Sequence, residues 1–191
     1  HSSIGVTAPS QRWYLPEGST AWGFECWLLI MNPSSEDADC AVTYMIEGAG
    51  PRTVHRKVKA RTRATFNVAD DIGAADASIM VESPVPVIPE RAMYRNGRGE
   101  GHDSVGVTAP ADEFYLAEGS TAWGFETYVL VQNPNERDAE VTLTYMTPAG
   151  EVPQPAFTVP AGSRKTVRVS DAAPDVDLST RVRGSLPIVA E

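Results

Sequence analysis

The chain has 191 residues, 42% of them hydrophobic, and 16 Lys and Arg against 25 Asp and Glu give a net charge of -9. That sign argues against nucleic acid, where a basic stripe would be expected to neutralise phosphates, and no apolar run approaches the ~20 residues of a membrane-spanning helix. The sequence starts at His1 with neither an initiator Met nor a signal peptide, which reads as a processed chain or an excerpt.

Repetition organises the elements. His1 recurs as His102, Gly5–Pro9 (GVTAP) as Gly106–Pro110 and Glu90 as Glu191, a gapless period of 101 residues. A period well above the ~20 to 50 residues of solenoid repeats means whole domains in tandem, each with its own core. The expected division is residues 1–101 for the first unit, with a linker over 95–106, and residues 102–191 for the second, whose final strand is incomplete. The segment Arg91–Gly101 has no copy after Glu191 and none before His1, so the chain reads as two units cut in phase from a longer array.

In chain order, the second unit predicts strands near Glu113–Ala117, Thr127–Gln132, Glu140–Tyr145, Ala156–Pro160, Lys165–Val169 and Ser179–Arg183, with equivalents 101 residues earlier. With 15 Gly and 15 Pro marking the turns, little room is left for long helices. Asn32-Pro33 and Asn133-Pro134 predict turns between two strands, since Asn tolerates turn geometry and Pro pre-sets its dihedral. Cys40, Val42, Tyr44 and Val141, Leu143, Tyr145 alternate as core-facing residues of a strand with one buried face. The fold class is therefore all-β: two tandem antiparallel immunoglobulin-like β-sandwich domains.

In the first unit, Val54–Arg63 reads as one strand with Lys57, Lys59, Arg61 and Arg63 on a single side. This basic ridge is a candidate contact between subunits, steered by the more acidic second unit. Cys26 and Cys40 have no counterparts in the second unit. If Cys26–Asn32 and Asp39–Ile46 form a hairpin, the two lie roughly 13 Å apart, beyond the ~7 Å between Cα atoms that a disulfide allows. Two free, buried thiols are expected.

Little here suggests catalysis. The histidines His1, His55 and His102 are scattered, and His102-Asp103-Ser104 are chain neighbours that cannot surround one substrate atom. The glycines of Gly97–Gly101 read as a flexible linker, because no Lys-Ser/Thr follows them. No enzyme activity and no cofactor are expected. The acidic groups Glu36, Asp37, Asp39 and Asp70, Asp71 are the candidates for calcium, without the spacing of a calcium loop.

The phrase EGSTAWGFE stands at Glu17–Glu25 and again at Glu118–Glu126. One account is structural: Trp22 and Phe24 fold over the open end of the sandwich and Glu17 caps backbone amides. The other is functional: Trp22 and Trp123 are exposed platforms that, beside Glu17 and Glu118, contact a glycan or another partner by stacking and hydrogen bonding.

The pattern YLAEGST, GFETYVLVQNPN and a Thr-Tyr strand, from Tyr115 to Tyr145, resembles a poorly characterised tandem-repeat β-sandwich module of bacterial cell-surface and secreted proteins. The resemblance covers both units. It implies an exported, non-enzymatic array domain, located outside the cell or on its surface, and it brings no catalytic residues. The expected function is a segment of a stalk or self-assembling fibre whose partners are other copies of itself or neighbouring repeats. The alternative is adhesion to surface glycans through the exposed Trp residues.

Overall fold

The computed structural model describes residues 4–191, so His1 lies outside the described residues. The chain divides into two compact units, His1–Ala109 and Pro110–Glu191, and each is an antiparallel β-sandwich. The first unit contains β1 (Ser10–Leu15), β2 (Glu25–Asn32), β3 (Ala38–Ile46), β4 (Gly50–Val58), β5 (Thr62–Asn67), the single-turn helix α1 (Ala69–Ile72), β6 (Ala77–Arg95) and β7 (Glu100–Val105).

The 19-residue β6 organises this unit. Its first part, Ala77–Glu82, pairs with β3 and β1, and its last part, Ile88–Arg95, pairs with β2 and β7. Between them lie Pro84 and Pro86, which have no amide hydrogen for a ladder. There β1 shifts register between Arg12↔Glu82 and Ser10↔Val87. One sheet runs β4-β3-β6-β1 and the other β5-β2-β6-β7, so β6 is a member of both.

The second unit repeats the plan with β8 (Ala111–Leu116), β9 (Tyr128–Asn133), β10 (Ala139–Thr147), β11 (Gly150–Pro153), β12 (Phe157–Val159), β13 (Ser163–Arg168), a 3-10 turn at Val169–Asp171 and β14 (Ser179–Ala190). The strand corresponding to β4 is divided into β11 and β12, both on β10, because Pro153 and Pro155 interrupt it. β14 pairs with β10 and β8 through its first half and with β9 through Val189 and Ala190.

The expected alternation is present: Cys40, Val42 and Tyr44 are fully buried, as are Val141, Leu143 and Tyr145. Around the first set pack Trp13, Leu15, Leu28, Ile30, Ile79 and Val81. Trp13 also donates its Nε1 to the Val87 carbonyl at 2.7 Å, which satisfies its one polar atom inside the core.

Three expectations are corrected. First, β2 and β3 form no hairpin; they flank β6 on different sheets, and the Asn-Pro turn carries the chain from one sheet to the other. Cys26 and Cys40 are nonetheless free and buried. Second, the expected linker over 95–106 is largely a hairpin: β7 pairs with β6 from Arg95↔Glu100 to Glu90↔Val105. Asn96, Gly97 and Arg98 make its turn with φ of 52°, 60° and 68°, a conformation that Asn and Gly adopt readily. Beyond it, Tyr14 exchanges backbone hydrogen bonds with Val107 at 2.8 and 2.9 Å. Gly106 permits that approach, since a Cβ there would stand 2.8 Å from the Tyr14 carbonyl oxygen.

Third, Val54–Arg63 is not one strand. Lys57 is on β4, Lys59 and Arg61 are in the turn that follows, and Arg63 is on β5. Arg61 has a φ of 53°, which reverses the chain and ends the alternation assumed for a ridge. All four side chains are exposed.

Candidate functional site

The two copies of EGSTAWGFE have nearly the same backbone. Ala21-Trp22-Gly23-Phe24 is a tight turn closed by Phe24 N–H to the Ala21 carbonyl at 3.0 Å, and the equivalent bond from Phe125 to Ala122 is 2.9 Å. Trp22 and Gly23 have φ of 58° and 82°, Trp123 and Gly124 of 58° and 83°. Two consecutive positive values define the first type of mirror-image turn, in which Gly is at ease and Trp is not.

Ser-Thr anchors each turn to the loop before the long strand. Thr20 donates its hydroxyl to the Gly73 carbonyl at 2.5 Å and accepts from the Ala75 amide at 3.0 Å. Thr121 does the same with Ala173 at 2.6 Å and Val176 at 3.1 Å. Ser19 donates to Asp76 and Ser120 to Asp177. The Ser-Thr half of the phrase is thus the grammar of the fold.

The tip differs from the structural account. Trp22 is 79% and Trp123 84% exposed, so neither closes the sandwich. Trp22 donates its Nε1 to Asp76 at 3.0 Å across the turn. Phe24 packs partly on the first core, under Arg95 with the guanidinium carbon 5.1 Å from the ring centre, whereas Phe125 is exposed.

Glu17 and Glu118, expected to act alike, do not. Glu17 is turned inward beside Arg91, a fully buried arginine 3.7 Å away that also lies 3.1 Å from His102 Nδ1. Glu17 is therefore a counter-ion to Arg91 and, among the described residues, caps no amide, while Glu118 is exposed. Cys26 lies in the same region, and burial pushes its thiol up to about 12, with the Arg91 charge opposing that rise. The sequence signal for this cluster was Arg91 itself, the first residue of the unrepeated segment.

Three of the acidic groups proposed for calcium, Asp37, Asp39 and Asp71, have other partners. Asp37 accepts from the Ala60 amide at 2.9 Å and lies 3.4 Å from Lys57, contacts that hold it below the ordinary carboxylate range. Asp39 lies 3.5 Å from His55. Asp71 is buried, accepts from the Tyr44 hydroxyl at 2.7 Å and pairs with Arg56, while Asp70 is exposed.

Sequence reading missed two features. Asn32 and Asn133 are buried ties rather than simple turn residues: Asn32 Nδ2 reaches the carbonyls of Glu36, Val58 and Lys59, and Asn133 Nδ2 those of Arg137, Val159 and Pro160. The second is a cleft of about 350 Å³ in the second unit, lined in part by Leu143, Tyr145, Phe157, Val167 and Ala172.

Residues 90–187 match the model of a family of unknown function, DUF5719. No curated protein matches the chain. Among solved structures, Thermotoga maritima 1070 aligns at 23% identity with a TM-score of 0.47, over 52% of this chain and 94% of its own. The Anabaena sensory rhodopsin transducer aligns at 28% identity with a TM-score of 0.38, over 43% and 94%. Among the described residues no helix is long and apolar enough to cross a membrane.

Proposed function

The chain belongs to the family of unknown function DUF5719, and from that premise we propose that it is a non-enzymatic structural segment of a tandem β-sandwich array outside the cell. Its units repeat along a stalk or self-assembling fibre and contact other copies of themselves. The observation that carries this reading is the in-phase repetition of one architecture at a spacing of 101 residues, down to the same turn at Trp22 and Trp123. Repeated units with separate cores suit a spacer, whose length grows by adding units.

A second reading rests on the exposure of the two tryptophans. Side chains this large, held out of the core by strained turns, suit stacking on a sugar ring, and backbone strain kept in both copies is a reason to look for a role. In this reading Trp22 and Trp123 contact surface glycans, Glu118 borders the second contact, and Glu17 takes no part because it is turned to Arg91.

Electron microscopy and light scattering on native particles test the first reading. Long polymers with a regular axial repeat are expected, and monodisperse single chains would overturn the self-assembling form. A glycan array then separates the second reading: binding lost in Trp123→Ala with folding intact would support it.

A further inference from the structure

The cleft of the second unit arises from three substitutions between equivalent positions. In the first unit, the space between the sheets beside Tyr44 is filled by Arg56, Phe66 and Asp71, with the Arg56 guanidinium 5.2 Å from the Phe66 ring centre. The second unit has Phe157, Val167 and Ala172 in those places. The aromatic ring on β5 becomes a smaller valine on β13, and the carboxylate becomes a methyl group. About 350 Å³ is left between the walls, within the size range of small-molecule sites.

The floor of the cleft is polar at one point. Tyr145 is 1% exposed and lines it, in the position of Tyr44. Where Tyr44 donates to Asp71, Ala172 offers no side-chain acceptor, and among the described residues none accepts from the Tyr145 hydroxyl. The hydroxyl opens into the cleft, whose inner wall is formed by Leu143, Phe157, Val167 and Ala172, and it gains from an acceptor brought to it there. Burial, and then the charge of Asp171, hold the phenol above its ordinary range, so it is a donor.

These features also define the charge of the ligand. The Asp71 carboxylate is compensated by Arg56, and Phe157 stands in that place in the second unit. The rim carries Asp171 and the exposed Lys165, whose charges offset each other, and Arg168 there is engaged with Glu126. An anion at the floor would be buried without compensation. We propose that this cleft is a binding site for a small, largely apolar molecule with one neutral acceptor, a carbonyl oxygen, that takes the Tyr145 hydroxyl proton in a hydrogen bond. The site is independent of assembly and of the exposed tryptophans.

The test uses the full chain and two probes of nearly equal shape, acetophenone and ethylbenzene, followed by amide chemical shifts. Saturable shifts are expected at Leu143, Tyr145, Val167 and Ala172, and none at the equivalents Val42, Tyr44, Phe66 and Asp71. Acetophenone should bind about fivefold tighter than ethylbenzene, the size of one net hydrogen bond, and Tyr145→Phe should erase that preference. A triple variant, Phe157→Arg, Val167→Phe and Ala172→Asp, rebuilds the filling of the first unit and should abolish binding of both probes. Equal affinities for the two probes, a preference that survives Tyr145→Phe, shifts outside the cleft or no saturation would each overturn the site.

Discussion

Tyr44 donates its hydroxyl to Asp71 at 2.7 Å, whereas Tyr145, 101 residues later, has Ala172 where that acceptor would be. The same core tyrosine is therefore tied down in one unit and left at the floor of a cleft in the other. The difference lies in a few residues around a shared scaffold.

Removing the acceptor from the first unit should be costly. Asp71→Ala leaves the buried Tyr44 hydroxyl and the half-buried Arg56 without their shared partner, and should lower stability by about 3 kcal/mol. Urea unfolding followed by the fluorescence of Trp13 and Trp27 would report it. A loss below about 1 kcal/mol would show that solvent replaces the carboxylate.

The buried asparagines give a second prediction. Asn32→Ala removes two amide hydrogens shared among three carbonyls and an acceptor for the Ser34 amide, and Asn133→Ala removes the matching set together with an acceptor for Asn135 Nδ2. Each should lower stability by about 3 kcal/mol, against under ~0.5 kcal/mol for an exposed control such as Glu36→Ala. Asp does not rescue, because it cannot donate to the carbonyls.

The thiols predict a pH dependence. Cys26 in the fold is pushed up to about 12, while an unfolded thiol titrates near 8.5. Between those values the folded state holds a proton that the unfolded state has lost, so stability falls as pH rises above about 8.5, at up to ~1.4 kcal/mol per pH unit. Cys26→Ala should make that slope shallower between pH 8.5 and 10, leaving the contribution of Cys40, whose thiol burial also pushes up. A thiol reagent at pH 8 should label neither cysteine in the native chain and both in urea.

The tryptophan turns make the opposite forecast. Trp123 is exposed and held at a positive φ, so Trp123→Gly should leave stability unchanged or raise it by up to ~1 kcal/mol. A loss greater than that would show that the indole packs on something within its own unit.

Sequence carried the period, the all-β class and the core alternation at Tyr44 and Tyr145, because these rest on local spacing. It did not show where strands pair. The Asn-Pro turn reads as a hairpin, yet the partner of both β2 and β3 is β6, a contact more than 30 residues distant that no local pattern reports. The hairpin at Asn96-Gly97 was missed although the pair is a strong turn signal, because the surrounding glycines read as a linker. For the candidate sites, exposure at Trp22 and Trp123 agreed with one of two open accounts. The inward turn of Glu17 depended on Arg91, 74 residues away. The cleft was invisible because it is the absence of side-chain volume, seen only when Phe157, Val167 and Ala172 are placed together.

The strand β6 has a mechanical meaning for a chain under tension. It is bonded along its length to four neighbours, β1 and β3 on one sheet and β2 and β7 on the other. A pull along β6 must shear two ladders at each end together, instead of peeling single bonds in succession. A spacer built from such units would resist extension up to a threshold and then yield one sandwich at a time.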